Sequence, residues 1–106
     1  MKDEDTTHGI FTFYETTSQE QKQEVIKRLN DMGQWLTENL GVTNWVVAEH
    51  IAETFKDGRA HLLQDGIFPS LDAVRQHAAS DVHKHVVELT PKVCDWMAVD
   101  TIIEEV

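Results

Sequence analysis

Apolar residues recur along this chain at two different periods, and the switches between them predict the order of its elements. Val25, Leu29, Met32, Leu36 and Leu40 are spaced by four, three, four and four, which places them on one face of a helix. Ser18 with Gln21 three residues later is a capping-box start, and Gly41 is the left-handed stop expected at the other end. Trp35 lies beside this stripe, either as half-exposed core or as part of a subunit contact. Ahead of the helix, His8-Gly9 leads into Ile10-Phe11-Thr12-Phe13-Tyr14, an aromatic and β-branched run closed by Thr16-Thr17-Ser18, which predicts a first strand. Residues 1–7 read as a frayed tail.

After Gly41 the pattern changes. Residues 42–53, with Trp45, Val46, Val47, Ala48, His50 and Ile51, are rich in β-branched side chains and predict a second strand. Lys56-Asp57-Gly58 is a turn signal, and residues 59–68 form a third strand, so the two make an antiparallel hairpin. Gly66 inside it marks a bulge or a close approach. Pro69 stops the strand and Ser70 caps a helix with Leu71, Val74 and Ala78 inward. Ser80-Asp81 is good cap and poor helix interior, which predicts a break there. The next segment carries Val82, Val86, Leu89, Val93 and Met97 at helical spacing, with a kink or restart expected at Pro91. Residues 100–106 are the last strand.

The order is βαββαβ. This predicts one α+β domain over residues 8–106: a ferredoxin-like, four-stranded antiparallel sheet with two helices on one face. The other face would carry Phe11, Phe13, Leu62 and Phe68, or their alternates. That is too apolar to leave in water, so a partner must cover it.

Charge narrows the partners. The 106 residues include 9 basic and 19 acidic side chains, a net charge of -10, which repels nucleic acid and anionic membrane surfaces alike. The polar, acidic start has no signal-like character and no apolar run reaches membrane length, so a cytoplasmic location is expected. The lone Cys94 fits that compartment and, without a basic neighbour in sequence, reads as a buried small hydrophobe.

The spacing Phe68-x4-Ala73-x3-His77-x2-Ser80-x2-His83, followed by Leu89, Pro91 and Val93, resembles the second-helix pattern of the dimeric α+β barrel proteins. Within that superfamily it is similar to the antibiotic-biosynthesis monooxygenase-like group, and to the stress-responsive A/B-barrel group that includes polyketide cyclases. The resemblance implies a homodimer whose sheets pack face to face, with a small-molecule pocket between each sheet and its own helices. It implies that His83 is a base, that His8 assists, and that an electron-rich phenol, quinol or polyketide-like substrate reacts without a cofactor. Two departures stand out. Haem-degrading relatives need an Asn on the first strand and a Trp at the place of His77, and cyclase-like members carry His-Pro-Ala-His where this chain has Ser80-Asp81-Val82-His83.

The residues themselves support a narrower list. An imidazole exchanges protons near neutrality, so a histidine beside a pocket is a candidate base, and His83 and His77 are the catalytic candidates. Six residues apart, they diverge by about 120° on a straight helix and converge only if the helix breaks near Ser80. The substrate-binding candidates are His8 and Phe68, which the resemblance implies, with Tyr14, through its hydroxyl or as a plain edge aromatic, and Asp100, holding a histidine tautomer or merely starting a strand. No metal site is expected. His83-x-His85 points its rings apart, unlike the i, i+4 spacing of helical zinc ligands, His85 reads as surface, and a His50–His61 pair across the hairpin is the weak exception. Two functions stand: a cofactor-free monooxygenase or cyclase, and a non-catalytic small-molecule-binding barrel. An acidic inhibitor mimicking nucleic acid ranks last because the carboxylates are scattered.

Overall fold

A computed structural model describes residues 5–49 and 61–102, the side chains of residues 99–102 apart. The elements are β1 (Asp5–Phe13), α1 (Gln19–Leu40), β2 (Thr43–Glu49), β3 (Leu62–Phe68), α2 (Leu71–Ala79), α3 (Asp81–Val93) and β4 (Cys94–Ile102). The strands form one sheet in the order β2-β3-β1-β4, every neighbouring pair antiparallel. This is the ferredoxin-like arrangement the periodicities predict. Among the described residues no helix is long and apolar enough to cross a membrane.

Alternation along the strands decides which side chains meet the helices. Asp5, Thr7, Gly9 and Phe11 of β1 are buried, as are Leu62, Gln64, Gly66 and Phe68 of β3, while their neighbours are more open. The core joins this face to Val25, Leu29, Met32 and Leu36 of α1 and Val86 and Val93 of α3. Phe11, Leu62 and Phe68 thus face the helices, and it is the alternates Ile10, Leu63 and Ile67 that sit on the other face. Val46 and Met97, 51% and 55% exposed, lie on that face too, paired or aligned with Asp65 and Ile10.

α1 forms as its caps dictate. Ser18 accepts from the Gln21 amide, Gln21 returns the bond to the Ser18 amide, and Gly41 closes the helix at φ 70°. Trp35 is half-buried against the core. Asn44, at φ 55°, makes a bulge in β2 that turns Trp45 inward; the indole covers Gly33 of α1 and Gly66 of β3, and its Nε1 donates to the Leu29 carbonyl at 3.1 Å. Gly66 is therefore a close-approach position. His50, the Lys56-Asp57-Gly58 turn and the start of the predicted third strand lie outside the described residues.

Four expectations shift. β1 begins at Asp5, taking in residues 5–7 of the predicted tail, because their amides and carbonyls pair with both β3 and β4. The face that α2 buries is centred on Ala73, with Val74 and His77 half-buried; Leu71 is 38% exposed and Ala78 exposed, since so short a helix meets the sheet only through the ridge beneath Phe68. Pro91 does not restart α3 but sits in its last turn, where its missing amide shortens the run to Val93. From Cys94 onward the backbone pairs with β1, so Met97 is strand and the last strand starts six residues earlier than expected.

Ser80 is the joint between α2 and α3. It ends α2 by donating its hydroxyl to the His77 carbonyl at 2.7 Å and starts α3 by accepting from the His83 amide at 3.2 Å. Replacing Ser80 with alanine removes both bonds and is expected to cost about 1–2 kcal/mol, read as a lower urea midpoint at unchanged slope. A variant as stable as the parent would mean that the joint is held by packing alone.

Candidate functional site

One rung of the sheet is short of side-chain volume, and a cavity lies over it. Gly9 pairs with Gln64 on one side and Ala98 on the other, whereas the next rung along carries Leu62, Phe11 and Trp96. The hollow above Gly9, about 60 Å³, is closed by Leu29 and Met32 of α1 and by Val86, Val87 and Thr90 of α3. His77 and His83 stand at its helical wall. A Cβ on Gly9 would press on the Phe11 ring at 3.0 Å and on Gln64 Oε1 at 3.2 Å, so glycine keeps the space open. Most of the lining is buried; His77 is half-buried, and Trp96 (41% exposed), Ala98, Val87 and His83 are the more open residues on β4 and α3, which places the mouth between those two elements. No lining residue is Asp, Glu, Lys or Arg.

The break at Ser80 brings the two histidines together. Their ring centroids are 4.7 Å apart, edge to face at 79°, and Phe68 backs the His77 ring at 5.2 Å. Burial pushes the pKa of His83 below its usual 6.5, and a hydrogen bond to the Ala78 backbone partly opposes that shift. Burial disfavours the imidazolium, and a neutral imidazole keeps one ring nitrogen free of a proton, which is the state a base needs.

The remaining predicted residues are dispersed. Phe68 is fully buried and touches His77, behind the cavity wall. His8 is on the opposite face of the sheet, its Nδ1 2.7 Å from Asp65 Oδ1, and does not reach this cavity. Tyr14 is just beyond β1, 44% exposed and outside the lining, with its amide on the Val93 carbonyl. Asp100 pairs through its backbone with Thr7. His85 is exposed beside Glu88, and His61 accepts the Phe13 amide on its Nδ1 at 2.9 Å. Cys94 is buried, as expected: its thiol donates to the Thr90 carbonyl, and burial, with Asp95 adding, pushes its pKa up to about 11.

Gln64 and Thr90 escape a sequence reading centred on histidines. Gln64 is 5% exposed and Thr90 2%, and neither the Gln64 amide nitrogen nor the Thr90 hydroxyl has a hydrogen-bond partner among the described residues. A signal did exist. In LLQDGIF the glutamine shares a face with Leu62 and Phe68, and Thr90 falls four residues after Val86 on the buried stripe of α3.

No family model and no curated protein matches the chain. Solved structures do. A dimeric ferredoxin-like protein of unknown function from Thermobifida fusca is 15% identical, with a TM-score of 0.78 over 94% of this chain and 91% of its own. A candidate antibiotic biosynthesis monooxygenase from Deinococcus radiodurans is 17% identical, with a TM-score of 0.74 over 96% and 94%. SnoaB, a cofactor-independent oxygenase from Streptomyces nogalater, is 12% identical, with a TM-score of 0.71 over 98% and 96%. This chain shares the ferredoxin-like fold of the Thermobifida fusca protein, and the other two structures match it over nearly their whole length.

Proposed function

We propose that the protein is a cofactor-independent monooxygenase that takes a small aromatic phenol, quinol or polyketide-like molecule at the mouth of the Gly9 cavity, with His83 as base. The observation that carries the reading is the meeting of His77 and His83 at an otherwise uncharged cavity, where burial keeps His83 in its neutral, proton-accepting form. The names of two structural neighbours, a candidate antibiotic biosynthesis monooxygenase and a cofactor-independent oxygenase, point the same way. His83 takes the phenol proton, and the phenolate supplies electrons to dioxygen. A carbon–oxygen bond forms at a ring C–H carbon; that carbon then loses its hydrogen as a proton while the O–O bond breaks, and this proton together with the one held by His83 leaves with the second oxygen as water, so that phenol and dioxygen give quinone and water. His77 orients His83 by ring contact, and the apolar walls exclude bulk water from the anion.

The test is oxygen uptake with a panel of naphthols and naphthohydroquinones, monitored with quinone formation. Uptake matching quinone one to one without release of hydrogen peroxide in the parent, and lost in His83→Ala with affinity kept, supports the enzyme. Rates no faster than the uncatalysed reaction across the panel would sink it and leave a binding protein.

The open sheet face, with Ile10, Val46, Leu63, Ile67 and Met97, is covered in this proposal by a second copy; two structural neighbours are described as dimeric. Light scattering is expected to give twice the 12.1 kDa chain mass. A mass near 12.1 kDa at micromolar concentration would contradict it.

A further inference from the structure

A buried amide with nothing to bond to is costly, and α/β cores rarely keep one without a use. Gln64 Nε2 is such an atom: it is enclosed, without a hydrogen-bond partner among the described residues, and belongs to a side chain that lines the cavity. Thr90 is another lining residue, and its Oγ1 is likewise enclosed without a partner among the described residues. Gly9 adds to the case, because a Cβ there would press on the Gln64 side chain at its Oε1, 3.2 Å away.

Resting on the reading of this cavity as a ligand site, we infer that Gln64 is its specificity-determining anchor: its amide donates to the oxygen of an uncharged aryl ketone or phenol, and Thr90 offers a second hydroxyl contact. Three observations shape that ligand. The hollow, about 60 Å³, is smaller than the roughly 150 Å³ cavity that encloses benzene, so it receives an oxygen-bearing substituent while the ring stays outside. At the mouth, the 41% exposed Trp96 supplies an indole face for that ring. The lining holds no cationic side chain and lowers the pKa of its own His83, so a carboxylate or phosphate would enter unpaired and lose its hydration.

The experiment compares acetophenone with α-methylstyrene, which has the same shape but carries CH₂ where the ketone has oxygen, and with benzoate. Binding is measured by titration calorimetry and localised by NMR shifts of the His83 ring and the Met32 methyl. Gln64→Met, of nearly the same length and apolar, is expected to shift the acetophenone-to-α-methylstyrene preference at least tenfold toward the hydrocarbon. It is also expected to melt at a higher temperature than the parent, because the unbonded amide is gone. An unchanged preference overturns the anchor while leaving the ligand site standing. Failure of every probe to perturb His83 and Met32 removes the ligand site and the anchor together. Benzoate binding as tightly as acetophenone overturns the preference for uncharged ligands. One measurement needs only the parent protein, in case Gln64→Met does not fold. The carbonyl stretch of isotope-labelled acetophenone in the complex is expected below its value in an apolar solvent, and a stretch at that value means the amide is not bonded to it.

Discussion

Changing His83 to glutamine is expected to slow turnover of a phenolic substrate by about 10²–10⁴-fold, the usual contribution of a positioned general base. Glutamine keeps an N–H for the Ala78 carbonyl and a similar bulk beside His77, but it cannot take up a proton. Binding of the substrate should therefore change little while kcat falls. A loss confined to KM would make His83 a binding residue and not a base. The pH profile gives an independent check. Burial lowers the pKa of His83 from 6.5, so the parent rate is expected to rise with pH and level off below the ordinary imidazole range. An apparent pKa at or above 6.5 would contradict this role.

The same shift fixes the sign of a stability effect. In the unfolded chain His83 takes up a proton near 6.5, and in the folded protein only at lower pH. Between these two values the unfolded state holds more protons, so stability rises with pH there and is lost on acidification. The stability of the parent relative to His83→Gln is thus expected to fall as pH is lowered below 6.5 and to be constant above the ordinary imidazole range. Identical pH dependence in the two proteins would show that folding does not alter this histidine.

Gly33→Ala is expected to destabilise the protein by about 3 kcal/mol, the upper part of the range for overpacking a core. In an isolated helix the same change would help by about 1 kcal/mol, because alanine is the better helix former. The core reverses the sign. A Cβ on Gly33 would run into Cδ1 and Nε1 of Trp45, whose indole lies flat enough on α1 to reach the Leu29 carbonyl. To make room, the ring must withdraw from both α1 and Gly66 and give up its hydrogen bond. Urea denaturation of Gly33→Ala, Trp45→Leu and the double variant tests this. The double variant should recover most of what Gly33→Ala loses relative to Trp45→Leu, and simple additivity would mean that the two sites do not meet.

Much of this was legible beforehand, for reasons that differ between elements. α1 announces itself because period, cap and stop agree: the Val25 to Leu36 stripe, the Ser18–Gln21 box and Gly41 all concern residues within one turn of each other. Ser80 was readable as a joint for the same local reason. The boundary of β4 was not. Val93 and Met97 continue the helical spacing of Val86 and Leu89, and only the pairing of Cys94 with Phe13 decides that the helix has ended. The inner face of α2 was misread because nine residues give too few turns for periodicity to identify it.

The candidate site divides in the same way. His77, Ser80 and His83 are close in sequence, and chain chemistry alone brings the rings together once the serine caps both helices. Gln64, Gly9, Ala98 and Thr90 come from four elements and signal little in isolation, yet their juxtaposition creates the cavity. The sequence by itself determined the order of elements, the ferredoxin-like topology and the hinge, because periods and caps act over a few residues. Sheet register and helix packing decided which rung lacks bulk, where the buried amide lies and which face stays open, because those are contacts between residues as distant in sequence as Gly9 and Ala98.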